Sequence, residues 1–286
     1  MQKIKIFING FGRIGQHIYQ ILKDDDSYKI VGVNDIYDID LDGIKTFKEK
    51  DPKNLNMKDV DILIQSSGKF LTKQSNEIYI KNGAKKVIIS APSDAKAFLY
   101  GINHKEYCGE EIISSSSCSA TAIGPIVKAF EKFDIKGCYC SMIHSYTNDQ
   151  QLLDDAKIYK DIRRVRSATI NILPLYSTAP KALKKFFPKL EIEATSIRVP
   201  IAHSTYYDIT LNIESKIDNF EDIIKNNFEY TYEKKVSSDF ILSPYPITID
   251  MNFSSSHDKI VKISGWQDNE YGYAYQLIKL IKVISE

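Results

Sequence analysis

The 286-residue sequence is short of several things, and each shortage excludes a class of protein. Only four cysteines occur, Cys108, Cys118, Cys138 and Cys140, and none forms a C-x-x-C pair or a zinc-ligand spacing. In a chain of this size that pattern predicts reduced thiols in a cytoplasmic protein, with no disulfide framework and no metal site. Charge of one sign is also missing: 38 Lys and Arg oppose 37 Asp and Glu, for a net +1. No bulk field draws the chain to nucleic acid or to an acidic membrane. The 18 Tyr and 13 Phe are scattered and form no stacking platform. No apolar run approaches the roughly 20 residues that span a bilayer, so no membrane attachment is expected. The first residues, MQKIKIFIN, alternate apolar and charged side chains; they predict a strand and lack the apolar core of a secretion signal. No internal repeat appears, and the one low-complexity tract is the serine run 114–117. What remains is 43% hydrophobic and 26% charged, an ordinary globular composition with room for two medium domains.

The first half alternates strand-like and helix-like segments. Strands are predicted at 3–8, 29–34, 60–65, 86–91 and 111–115, with helices over 13–23 and 74–82. The strands are nearly continuous apolar runs, which is the pattern of a parallel sheet buried on both faces. After Cys118 the character changes. A helix over 120–133 precedes longer, alternating strands at 137–143, 192–199, 205–213 and 259–266. Helical stretches fall near 178–186 and 220–229. A last helix over 273–284 sets Leu277, Ile278, Ile281 and Ile284 on one face. The expected fold is α/β: a Rossmann-type dinucleotide-binding domain, residues 1–118 with 270–286, and an α+β catalytic domain with a mixed or antiparallel sheet, residues 119–269.

Residues 10–15 read Gly10-Phe11-Gly12-Arg13-Ile14-Gly15. A lone G-x-G-x-x-G says little, but this one follows a strand, opens a helix and precedes a second strand ending at Asn34-Asp35. Gly10 permits the tight turn, Gly12 admits a pyrophosphate to the backbone, and Gly15 allows close helix–strand packing. The helix N-terminus offers free N–H groups and partial positive charge to the phosphates. Asp35 sits where a carboxylate accepts from a ribose diol and repels a 2′-phosphate, which selects NAD over NADP. The bland alternative is a glycine-rich turn without a ligand.

Cys118 follows Ser114–Ser117 at a predicted helix start, where a thiol can be activated as a nucleophile. His144 closes the 137–143 strand. Alone, such a Cys is more often a small buried apolar residue and such a His a satisfied hydrogen-bonder. Arg163, Arg164 and Arg166 cluster, and Arg198 ends another strand. Guanidinium groups grip phosphate bidentately, although solvated surface charge is the commoner fate of any single Arg.

Together these segments resemble the phosphorylating glyceraldehyde-3-phosphate dehydrogenases. INGFGRIG (8–15), ND (34–35), SSGKF (66–70), KKVIISAPS (85–93), GINHKEY (101–107), IISSSSC (112–118), HSYTNDQ (144–150), DIRRVRSA (161–168), RVP (198–200), VSSDF (236–240) and WQDNEYGY (266–273) stand in the family's order. The resemblance implies that Cys118 is the nucleophile and that His144 lowers its pKa and acts as base. It implies that Thr147 and Arg198 hold the phosphate of a phosphorylated aldehyde, and that Ser117, Ser119, Ser177, Thr178 and Arg164 line an inorganic phosphate site. Gly10, Phe11, Gly12, Arg13, Ile14, Asp35, Ser67, Gly68, Ser90, Asn269 and Tyr273 would serve NAD. The 145–172 segment resembles the family's S-shaped loop, which implies a homotetramer. Three departures stand out. The 36–65 segment is much shorter than the family carries. Cys118 is followed by Ser119-Ala120-Thr121 in place of T-T-N. In the phosphate loop Thr178 is followed by Ala179-Pro180, with Thr178 in place of a glycine, which would be strained at a positive φ. Two alternatives therefore accompany the main expectation: erythrose 4-phosphate as substrate, or a paralogue kept for binding or regulation.

Overall fold

A computed structural model describes residues 3–147, 150–154 and 161–285. Parts of the 145–172 loop expected from the sequence, residues 148–149 and 155–160, lie outside the described residues. The chain divides into two compact units, residues 1–117 with 273–286 and residues 118–272.

The first unit is built on a fully parallel sheet. Its strands are β1 (Ile4–Asn9), β2 (Tyr28–Asn34), β3 (Thr46–Phe47), β4 (Ile62–Gln65), β5 (Lys86–Ile89), β6 (Lys96–Ala97) and β7 (Ile112–Ser114), in the spatial order β3-β2-β1-β4-β5-β7-β6. The order reverses at β1, so the turn after β1 lies at a topological switch point, where α/β sheets bind ligands. Every residue of β4 is buried, as both faces of a parallel sheet require. Helix α1 (Arg13–Leu22) buries Gly15, Ile18 and Leu22. Helix α2 (Lys73–Lys81) starts with a reciprocal cap: the Thr72 hydroxyl accepts from the Ser75 N–H, and the Ser75 hydroxyl accepts from the Thr72 N–H. The C-terminal stretch of the chain adds a helix that buries Ala274, Leu277, Leu280, Ile281 and Ile284 in this unit.

The second unit carries helix α3 (Cys118–Phe130) and a mixed eight-stranded sheet. Its strands are β8 (Ile135–Ser145), β9 (Leu173–Tyr176), β10 (Ile192–Val199), β11 (Thr205–Ile213), β12 (Glu229–Thr231), β13 (Thr248–Asp250), β14 (Ser255–His257) and β15 (Ile260–Gln267). They run β12-β13-β15-β11-β8-β10-β9, with β14 on β15. β8–β10 and β12–β13 pair in parallel and the other pairs are antiparallel. β11 alternates buried and less buried residues, the signature of a sheet with one covered face. The unit also holds α4 (Ala179–Leu183) and α5 (Phe220–Asn227). The helix that ends the chain is α6 (Tyr271–Ser285).

Candidate active site

In the first unit the glycine turn is locked from behind and open in front. Gly10 has φ +100°, and a Cβ there would stand 2.3 Å from the Ser67 Cα. At Gly15 a Cβ would meet the Gly10 carbonyl oxygen at 2.1 Å, so α1 packs too closely on β1 for any side chain. Gly12 differs: it lies at the N-cap of α1, and a Cβ there would meet nothing within 4 Å. No side chain caps α1, and no acidic residue stands in its first turn. A helix start whose N-cap residue has no side chain and open space beside its Cα fits a pyrophosphate. The Asp35 carboxylate accepts from the N–H groups of Phe11 at 2.5 Å, Ile36 at 2.7 Å and Tyr37 at 3.3 Å. A carboxylate has about four acceptor positions, so capacity remains for a ribose hydroxyl.

A buried polar group supports this turn; Asn9 and Asn34 lie in motifs quoted above, whereas Gln65 and Tyr79 lie in none. The Asn9 amide donates to Gln65 Oε1 at 3.1 Å and to the Tyr79 hydroxyl at 2.9 Å, and the Asn34 amide donates to Asn9 Oδ1 at 2.7 Å. Ser67 Oγ donates to Gln65 Oε1 at 2.8 Å, which ties the loop bearing Ser67 and Gly68 to the same group. Burial pushes the Tyr79 phenol up to about 12, so it stays protonated as a hydrogen-bonding post. Ser90 Oγ donates to the Gln65 carbonyl at 3.0 Å. Tyr273 is buried, its hydroxyl 2.6 Å from Ser115 Oγ and donating to the Ser116 carbonyl at 3.3 Å. The serine run is therefore interior structure: Ser114, Ser115 and Ser116 are buried, and Ser116 has φ +60°. That left-handed residue turns the chain as it leaves β7.

In the second unit a single cross-strand row assembles the reactive groups. Strand register sets Arg198 of β10 beside His144 of β8, His144 beside Thr205 of β11, and Thr205 beside Gln267 of β15. Gln267 Nε2 donates to the Cys118 carbonyl at 3.2 Å, which attaches the start of α3 to the row. His144 is buried, and its Nδ1 lies 2.7 Å from the Ser145 carbonyl. Arg198 Nη1 reaches both that ring nitrogen and, at 2.9 Å, the same carbonyl. A guanidinium only donates and a carbonyl only accepts, so one neutral ring nitrogen cannot satisfy both. The tautomer that donates to Ser145 carries its proton on Nδ1 and leaves Nε2 unprotonated, able to act as a base.

The half-buried Cys118 thiol titrates above its ordinary range. Burial pushes it up, while the Arg198 guanidinium and hydrogen bonds from Ser119 pull it down. The helix start predicts a lowered thiol and the resemblance implies that His144 lowers it further; here desolvation outweighs the lowering influences, and the cation acting on sulfur is Arg198. Thr147 donates from its N–H and its hydroxyl to Gln150 Oε1, at 2.8 and 3.0 Å. Asn269 is buried, and its Oδ1 accepts from Ser145 Oγ at 3.3 Å and Thr205 Oγ1 at 3.4 Å. Arg164 lies on the 3-10 turn Ile162–Val165, near enough to Asp161 to hold that carboxyl below its usual range together with Arg163, whose bond is the stronger influence. Ser177 Oγ accepts from the Ala179 N–H at 3.0 Å. Thr178 has φ −87°, so the strain expected of a β-branched residue there does not arise. Nothing in the sequence singles out Gln267, Thr205 or Gln150, although Gln150 and Gln267 lie within the motifs quoted above.

Residues 117–269 match the family model described as glyceraldehyde 3-phosphate dehydrogenase, C-terminal domain. The chain belongs to the glyceraldehyde-3-phosphate dehydrogenase family. It is 35% identical to the glyceraldehyde-3-phosphate dehydrogenase of Helicobacter pylori, over 97% of this chain and 98% of that one. It is 32% identical to glyceraldehyde-3-phosphate dehydrogenase B of Aspergillus oryzae, covering 98% of both chains. The Haloarcula vallismortis glyceraldehyde-3-phosphate dehydrogenase is 30% identical over 100% of this chain and 99% of its own. The Helicobacter alignment runs to 326 positions against 286 residues here, so these relatives carry segments without a counterpart in this chain. Membership makes the chain an enzyme of an NAD-dependent oxidoreductase family, and the parallel sheet with its open glycine turn is the matching Rossmann-type fold. No described helix is long and apolar enough to cross a membrane.

Proposed function

We propose that this member of the family catalyses the phosphorylating oxidation of glyceraldehyde 3-phosphate to 1,3-bisphosphoglycerate, with NAD as cofactor and a thioester on Cys118. The observation that carries the reading is the row Arg198, His144, Thr205 and Gln267, to which Cys118 is joined through Gln267. It gathers a thiol, a base and an anion-binding cation in one unit.

His144 Nε2 takes the Cys118 thiol proton as the sulfur attacks the aldehyde carbon, returns it to the new alkoxide, and takes it again as the hydride leaves. NAD bound at the glycine turn supplies the hydride acceptor. Inorganic phosphate then cleaves the thioester, forming the acyl phosphate and returning the thiolate. A thioester is needed because it conserves the free energy of oxidation for the unfavourable acyl phosphate. Arg198 and Thr147 hold the substrate's own phosphate. A bidentate phosphate draws the guanidinium from the ring nitrogen, which favours the Ser145-bonded tautomer and the unprotonated Nε2. Ser117, Ser119, Ser177, Thr178 and Arg164 serve inorganic phosphate. Phe11, Arg13, Ile14, Asp35, Ser67, Gly68, Ser90, Asn269 and Tyr273 serve NAD. The first unit is the dinucleotide-binding domain and the second the catalytic domain. The working assembly is a homotetramer, and the four free thiols suit a cytoplasmic setting.

The deciding measurement is NADH production from glyceraldehyde 3-phosphate and from erythrose 4-phosphate, each with and without inorganic phosphate. Phosphate-dependent turnover of the three-carbon aldehyde is expected. Equal rates without phosphate, or a preference for the four-carbon aldehyde, would overturn the substrate or the deacylation step. Cys118→Ser should lower kcat/KM by at least about a thousandfold in a folded protein.

A further inference from the structure

Tyr207 and Gln267 are linked to Cys118 by hydrogen bonds, and no step of the reaction proposed above is assigned to either. Both side chains are buried. The Tyr207 hydroxyl donates to Gln267 Oε1 at 2.7 Å, and Gln267 Nε2 donates to the Cys118 carbonyl at 3.2 Å. Ser119, the next residue, lies close enough to lower the titration of both the Cys118 thiol and the Tyr207 phenol. A carboxamide has one donating and one accepting end, and both ends are assigned here. The Cys118 carbonyl only accepts, so the NH2 of Gln267 must face it, and the Gln267 oxygen is left to accept from Tyr207 on β11. Flipping that amide would set oxygen against oxygen at the Cys118 carbonyl. Cys118 is the first residue of α3, so whatever holds its carbonyl sets where the helix begins and how the thiol leaves it.

We infer that Tyr207 and Gln267 form a positioning pair that fixes the first residue of α3 and thereby the reactivity of the Cys118 thiol. The inference rests on the reading of Cys118 as nucleophile. Tyr207 is the positioning residue and Gln267 transmits its orientation. Neither touches a reacting atom. Loss of the tyrosine hydroxyl leaves Gln267 Oε1 buried without its donor, so the amide is held at its Cys118 end alone.

The test is the rate at which a thiol alkylating reagent modifies Cys118, read by mass spectrometry across pH in the full chain, beside steady-state kinetics. Tyr207→Phe should slow Cys118 modification about five- to tenfold, the worth of one orienting hydrogen bond. kcat should fall in parallel, KM should hold, and exposed Cys108 should react as before. Gln267→Met removes the donor to the carbonyl and should act likewise, which covers failure of Tyr207→Phe to fold. The double variant Tyr207→Phe/Gln267→Met no longer buries the Gln267 oxygen without its donor. It should regain the melting temperature lost in Tyr207→Phe, while Cys118 stays slow. Wild-type modification in both single variants, or recovery of the thiol rate with the melting temperature, overturns the positioning role and leaves the dehydrogenase reading standing. Slowed modification in a protein without dehydrogenase activity upholds the positioning role and overturns that reading.

Discussion

Gly10 and Gly12 are both glycines for physical reasons, and the reasons are opposite. Gly10 adopts a left-handed backbone and has Ser67 backbone 2.3 Å from where a Cβ would sit, whereas Gly12 faces empty space. Gly10→Ala should therefore lose about 1–2 kcal/mol from backbone strain alone and more from the clash, measured as a fall in the urea midpoint. Gly12→Ala should leave stability within about 0.5 kcal/mol and still weaken NAD binding by about tenfold or more, read by titration. Unchanged affinity in Gly12→Ala would remove the pyrophosphate from this turn. Arg198 supplies a second prediction at the same scale. Its charge lowers a thiol that burial raises. Arg198→Leu should move the pH profile of Cys118 modification upward and slow modification at neutral pH, read by mass spectrometry. The types of these residues are legible in the sequence, because glycine spacing and a Cys after a serine run are local signals. The guanidinium beside the imidazole is not, since Arg198 and His144 meet only through strand register.

Elements long enough to show a period can be read from the pattern, whereas the shortest can be read only where an apolar run marks them, as at β7. β10 and β11 fall at 192–199 and 205–213, where alternation predicts them, and α1 and α2 begin within a residue of their predicted starts. β3 and β6 have two residues each, and β12, β13 and β14 three each, too few for any periodicity. The predicted 120–133 helix ends earlier, at Phe130, where the chain tightens into a 3-10 turn and then takes a left-handed conformation at Asp134. The start of α2 is decided by its reciprocal cap. Thr72→Ala should cost about 1 kcal/mol, visible as a lowered melting temperature, while Thr72→Ser should be close to neutral. Because α2 carries Tyr79 to Asn9 and Gln65, Tyr79→Phe should loosen the glycine turn and raise the KM for NAD with little change in kcat.

For the whole molecule, alkaline pH is the exposed flank. Burial pushes Cys138 in the second unit up to about 12 from 9.0, and Tyr79 in the first up to about 12 from 10.0. Each stays protonated in the folded chain after the unfolded chain has released its proton. Their contribution is thus complete below pH 9.0 for Cys138 and below pH 10.0 for Tyr79, and drains away up to about pH 12. The loss should be at most about 1.4 kcal/mol per pH unit for each group, seen as a falling urea midpoint. A midpoint that stays flat from about pH 9 to about pH 11 would contradict it. Assembly is a second question at this scale. β9 is the outermost strand of its sheet, and Tyr176, Ile170 and Ile172 nearby are 88%, 81% and 70% exposed. Sedimentation should find four chains together, and Ile170→Glu with Ile172→Glu should yield smaller species. Charge and composition cannot locate that surface, because the apolar residues gather there only after β9 has joined the sheet.

The first unit owes its last helix to residues that follow the whole of the second. A ribosome adding roughly 5–20 residues each second leaves the parallel sheet without that cover for about eight to thirty seconds. During that interval its apolar strands have no shelter from neighbouring nascent chains. Trimming the final turns of the polypeptide would make the exposure permanent, so solubility should fail before catalysis can be measured.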